Sequence, residues 1–103
     1  MSRSDAELIS DALDHIEALK RHVARSDIED DIVADAVSLR LAAAIESISQ
    51  TSATFREETF GDDWKVIWAT RNRIAHGYAF IDIRLILDTV ANDVPEFERK
   101  LRG

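Results

Sequence analysis

From Leu8 to Leu101 the apolar residues return at steps of three and four, and no segment sustains the alternation of a half-buried strand. That periodicity confines the chain to helices packed on helices. The first run is Leu8, Ile9, Ala12, Leu13, Ile16, Leu19 and Val23. Ser4-Asp5-Ala6-Glu7 precedes it, with Ser and Glu at the spacing that lets each satisfy the other's free amide. A second helix is predicted to start after Ser26 or Asp27, with Ser26 and Glu29 at the same spacing, and to run to about Phe55. A third begins near Asp62 or Asp63 and buries Trp64, Ile67 and Trp68. A fourth begins near Asp82 and carries Ile83, Ile86, Leu87, Val90, Val94, Phe97 and Leu101. Pro95 has no amide proton to give the preceding turn, so a kink or a fresh start at Asp93 is expected. With three glycines and one proline among 103 residues, turn material is scarce. The expected fold is all-α, an antiparallel four-helix bundle in one domain over residues 1–103, with a short kinked C-terminal extension.

The second helix is apolar on two adjoining stripes. Ile32, Ala36, Leu39 and Ala43 form one; Val33, Val37, Leu41, Ala44 and Ile48 form the other. A face this wide meets two sets of neighbours, and the second set is either another copy of the chain or the rest of a monomer's core.

Charge and composition remove several function classes. The net charge of -7 argues against broad attraction to nucleic acid, so any such role needs a local basic site within an acidic shell. Arg40, Lys65, Arg71, Arg73 and Arg84 are the candidates to supply it. The absence of cysteine excludes disulfides and thiolate metal sites and fits a reducing, cytoplasmic setting. No apolar run is long enough to span a membrane, so no membrane association is expected. No histidine–carboxylate cluster has metal-ligand spacing and no glycine-rich phosphate loop occurs; neither a metal nor a cofactor is expected.

Against this background the stretch Ala69–Tyr78, ATRNRIAHGY, is unusual. On a helix, positions 64, 67, 68, 71, 75 and 78 share a face, which puts Arg71 in the stripe begun by the two tryptophans. An arginine there must snorkel to water, pair with a buried carboxylate, or line a cleft, because an uncompensated buried charge is too costly for a small domain. His76 stands about 140° around the helix from Arg71. Asn72 and Arg73 share its side better. Arg71 and His76 therefore converge only through the arginine's length, through a distorted helix end at Gly77, or across a two-fold axis. Gly77 reads as a C-cap that leaves His76 in the last turn, where a cation is favoured. His15 and His22 read as ordinary flank residues.

Arg71-Asn72-x-x-x-His76-x-Tyr78 resembles the R-x(4–6)-H motif of HEPN domains, and the whole chain is similar to the HepT family of toxin ribonucleases. The likeness runs through DAVSLRLAAAIESIS, DDWKVIWATRNRIAHGY and the IDIRLILDTVANDVPEFERKL tail. Family members usually carry I-G-E-A where this chain has Ala44-Ile45-Glu46-Ser47, so the glutamate is kept and isoleucine replaces the glycine. The resemblance implies an all-α HEPN-type bundle whose homodimer brings two R-x4-H motifs to a shared cleft. It implies metal-independent cleavage of RNA within a toxin–antitoxin pair. It also implies an antitoxin partner, an MNT-type nucleotidyltransferase, that adenylylates the motif tyrosine, here Tyr78.

The chemistry agrees with the residue types. RNA is cut without metal when its own 2′-hydroxyl attacks the adjacent phosphate, which needs a proton carrier near neutral pH and a cation for the growing charge. His76 suits the first task and Arg71, with paired planar donors, the second. Asn72 can orient His76 or the scissile group, and Arg73 can add a phosphate contact. Two other readings remain open at this stage. One is a non-catalytic HEPN partner subunit of a nucleotidyltransferase; the other is a helical interaction module in which Arg71 and His76 are structural.

Overall fold

A computed structural model describes residues 3–25, 31–77 and 83–103. They form α1 (Asp5–Arg25), α2 (Asp31–Ser49), α3 (Ala53–Phe60), α4 (Asp63–Gly77), α5 (Ile83–Asp88), a π-helical turn (Thr89–Asp93) and α6 (Val94–Arg102). The result is an all-α bundle. The expected starts of the second and fourth helices, at Ser26–Glu29 and near Asp82, lie outside the described residues, as does Tyr78.

The reciprocal cap at the start of α1 forms as expected. The Ser4 amide donates to Glu7 Oε1 at 3.3 Å and the Glu7 amide to Ser4 Oγ at 3.1 Å. From there α1 buries Leu8, Ala12, Ile16 and Leu19 against α2. Ser47 Oγ of α2 donates to the Leu8 carbonyl, while Arg40, seven residues earlier in α2, meets His15, seven residues later in α1. Contacts that advance on one helix as they retreat on the other mark an antiparallel pair.

The second helix stops at Ser49, short of the expected Phe55, and a further short helix follows. The run Ser49–Thr54 is polar apart from Ala53, and its side chains end the helix. The Ser49 hydroxyl donates to the Glu46 carbonyl and the Thr51 hydroxyl to the Ile48 carbonyl, competing with the helical ladder. Ser52 then caps α3, its Oγ accepting from the Phe55 amide at 3.2 Å. Asp5 holds this corner against α1 by accepting from the Ser52 amide at 2.9 Å and from its hydroxyl at 2.7 Å. Gly61 closes α3 with φ 56°, a conformation that side-chain-bearing residues rarely adopt, and donates its amide to the Glu57 carbonyl.

The Ser52 bonds, hydroxyl first and amide second, hold the Asp5 carboxyl below its usual range. Its contribution to folding is therefore complete above the unfolded carboxyl's pKa and is lost as pH falls through the lower folded value. Asp5→Asn is expected to melt below the parent at neutral pH, with the gap closing as pH drops below about 4. Thermal melts of both proteins across pH check this; a gap that stays constant would assign the corner's stability to neutral contacts.

Pro95 acts as anticipated. The helix widens into a π turn at Thr89–Asp93, closed by the Val94 amide donating to the Thr89 carbonyl, and α6 starts beyond it with the proline in its first turn. Val94, Phe97 and Leu101 of α6 complete the core together with Phe60 and α2. Phe60 stacks on Phe97 at 5.5 Å and meets Trp64 at 5.9 Å; Trp64 in turn stacks on Trp68 at 6.1 Å. The two tryptophans are half-buried rather than enclosed, and the side chain of α4 that is fully buried is Ile74, not its neighbour Ala75.

Candidate active site

One stripe of α2, comprising Val37, Leu41, Ala44 and Ile48, is fully buried in the chain's own core. The adjoining stripe is not. Leu39 is 69% exposed and Ile32 79% exposed, with Ala36 and Ala43 half-buried between them. Of the two explanations for the double stripe, burial of both within one chain does not hold for these residues.

That uncovered stripe leads to Arg71. Leu39, Ala43 and Glu46 stand at four- and three-residue steps on α2, and Glu46 Oε2 lies 3.0 Å from an Arg71 guanidinium nitrogen across on α4. The guanidinium also covers the Trp68 ring, 4.8 Å from its centre, and donates to Asn72 Oδ1 at 3.2 Å. Of the three possibilities for an arginine in this stripe, the chain adopts the paired one, without full burial. Arg71 keeps 24% of its side-chain surface and Glu46 keeps 42%. Glu46 Oε2 itself is shielded from solvent and receives no aligned hydrogen bond, so the pair is held by charge rather than by bond geometry.

His76 stands exposed in the last turn of α4. No hydrogen bond joins it to Arg71 among the described residues, and the separation around the helix axis holds as expected. Asn72 is half-buried and occupied with Arg71, so its contact is to the arginine rather than to the histidine. Arg73 is exposed, as is Lys65, and neither makes an ion pair among the described residues. Arg40 is committed elsewhere, its guanidinium 3.0 Å from Nδ1 of His15, a half-buried residue on the flank of α1. One chain therefore offers, in the C-terminal half of α4, a partly exposed guanidinium paired with a carboxylate and an exposed histidine in the last turn.

Glu46 is the site residue that spacing alone does not reveal. It is separated from Arg71 by the last residues of α2, the whole of α3 and the first half of α4, and its only sequence signal is its place in Ala44-Ile45-Glu46-Ser47. Ile45, beside it, is 2% exposed and fills core space. Among the described residues no three His, Asp or Glu side chains stand together as a metal would require, and no helix is long and apolar enough to cross a membrane.

Comparison with known proteins bears on what this arrangement belongs to. No solved structure matches the chain significantly. A protein of Caldanaerobacter subterraneus subsp. tengcongensis named "Putative RNase TTE0752" is 25% identical over 75 residues, covering 73% of this chain and 67% of its own length. The family model described as ribonuclease HepT-like matches residues 9–102, nearly the whole length over which the helices and the Arg71–His76 motif are laid out, and the chain belongs to that family.

Proposed function

We propose that the chain is a metal-independent endoribonuclease toxin that cuts RNA in a cleft shared by two copies, with Arg71 binding the scissile phosphate and His76 moving protons. The observation that carries this reading is the position of the Arg71–Glu46 pair at the end of the α2 stripe that the chain leaves uncovered. A second copy laid along Leu39 and Ala43 removes that stripe from water and sets two such pairs side by side. Each copy then contributes an imidazole that its own Arg71 does not reach.

In the proposed reaction the RNA 2′-oxygen forms a bond to phosphorus while the bond to the 5′-oxygen breaks, giving a cyclic phosphate and a free 5′-hydroxyl. One His76 takes the proton from the 2′-hydroxyl and the other supplies one to the departing oxygen. Arg71 turns from Glu46 to two phosphate oxygens, where paired N–H donors act on charge that grows in the transition state. Glu46 is a positioning residue, holding the arginine's stem over Trp68 until the substrate arrives. Arg73 adds a phosphate contact and Asn72 steadies Arg71. The supporting facts are the family membership and the relative named as an RNase.

Cleavage of RNA by the purified protein in the presence of a chelator tests this. The parent is expected to cut, Arg71→Ala and His76→Ala to fail, and Leu39→Asp to sediment as a monomer and fail with them. Retained cleavage in the two motif variants would remove the catalytic assignment.

The same motif supplies a proposed means of silencing. The proposed partner is an antitoxin of the MNT nucleotidyltransferase type that transfers AMP to the Tyr78 hydroxyl, adding a bulky anion two residues after His76 in the sequence. Co-expression with such a transferase is expected to add one AMP mass to the peptide containing Tyr78. Fully inhibited protein with Tyr78 unmodified would rule that switch out. A second reading, a non-catalytic partner subunit of the transferase, is favoured by one observation, that Arg71 already has a counter-charge in Glu46. The chelator assay separates the two.

A further inference from the structure

A groove of about 260 Å3 runs between α4 on one side and the π turn and α6 on the other. Its floor is apolar, made by Leu41 and Ile45 of α2 with Phe60 and Phe97. Three carboxylates stand along its rim. Asp63 is tied to Lys100 at 3.3 Å and Glu96 accepts from Arg99 Nε at 3.0 Å, which leaves Asp93 as the rim carboxylate without a cation among the described residues. Val66 also lines it and is 65% exposed, an aliphatic side chain left in water at the groove's edge.

We infer that this groove is the docking site for a basic amphipathic helix of a partner protein. Three observations lead there. The volume lies just below the range of about 300–1,000 Å3 usual for small-molecule sites, and it is an open channel between two helices, a shape suited to a few anchor side chains from a third. The rim selects the sign of the visitor. Asp93 occupies the N-cap position of α6 yet makes no capping bond, and it has no ion-pair partner among the described residues. Its carboxylate is thus available to a lysine or arginine flanking the anchors. The π turn supplies the third observation. Thr89 and Asp93, its first and last residues, both line the groove, so the π turn forms part of its wall.

A nucleic acid is disfavoured as occupant, because the rim's cations are committed to Asp63 and Glu96 and Asp93 adds an uncompensated negative charge. A second copy of this chain is disfavoured by placement: Leu41 and Ile45 point to the far side of α2 from Leu39 and Ala43, about 200° of helix rotation away. The groove therefore stays open when two copies meet along the uncovered stripe. It is independent of the nuclease reading, since neither Arg71 nor His76 lines it.

The probe is a fluorescently labelled helical peptide of about 15 residues with leucines at i, i+3 and i+7 flanked by lysines, together with a twin in which glutamate replaces each lysine. Anisotropy titration with the full chain is expected to find the lysine peptide bound at least about tenfold more tightly than its twin, with the difference shrinking as salt rises. Asp93→Lys and Val66→Asp, both at exposed positions that leave the core intact, are each expected to weaken it by about tenfold or more. Asp14→Lys, which changes net charge equally on α1, is expected to leave binding unchanged. Equal affinity for both peptides, equal loss with Asp14→Lys, or dissociation of the protein's own dimer by Val66→Asp would each overturn the proposal.

Discussion

Arg71→Ala is expected to lower the rate of RNA cleavage by roughly 10²–10³-fold while leaving the protein folded, a loss typical of removing one preorganised donor to a developing oxyanion. Two magnitudes make the separation of activity from stability clean. The guanidinium's ties to Glu46 and Trp68 are partly solvated, so breaking them costs about 1 kcal/mol of stability. Glu46 keeps 42% of its side-chain surface and can turn to water when its partner is gone. Arg71→Lys is expected to recover little, because an ammonium is a point charge and does not offer the paired planar donors that span two phosphate oxygens. Single-turnover cleavage alongside circular dichroism measures both quantities on one preparation. A variant as active as its parent, or one that loses activity only by unfolding, would take Arg71 out of the reaction.

The largest effect on stability is expected at Phe60. Among the described residues it is the ring that joins three elements, stacking on Phe97 of α6, meeting Trp64 of α4 and standing edge-on to Phe55 within α3 at 6.4 Å. Phe60→Ala removes the transfer energy of the ring and leaves a cavity between elements that cannot all close in at once, for a loss of about 3–5 kcal/mol. A small domain has about 5–15 kcal/mol in total. Each kcal/mol lowers the melting temperature of a domain this size by about 4–8 °C, so the change is visible in any thermal scan. Urea denaturation gives the free energy; a loss under about 1 kcal/mol would mean that the aromatic cluster is peripheral to the fold.

Those two residues also mark how far the sequence can be read unaided. The helical class, the reciprocal cap at Ser4 and Glu7, and the break at Pro95 depend on residues within one turn of each other, so local spacing reveals them. The end of α2 does not follow from apolar spacing alone, because Phe55 stands seven residues after Ile48, in step with the stripe, while Ser49, Thr51 and Ser52 redirect the backbone between them with hydroxyls. Arg71 was readable as an anomaly but not as a pair. Its counter-charge sits on another helix, and three physically distinct outcomes fit the same position. The pairing of His15 with Arg40 is hidden for the same reason. Convergence of Arg71 with His76 is further out of reach, since the two diverge around one helix axis and their proposed meeting needs a second chain.

The two sides of α2 separate two physical tasks along a single stretch of sequence. Leu41, Ala44 and Ile48 hold the chain's interior together, whereas Leu39 and Ala43 contribute little to it. If two copies pair as proposed, a mutational scan walked along this helix alternates, every few positions, between alleles that lose the protein to proteolysis and alleles that accumulate normally in an inert form. The inert class is then a genetic handle on the proposed self-association without any loss of expression.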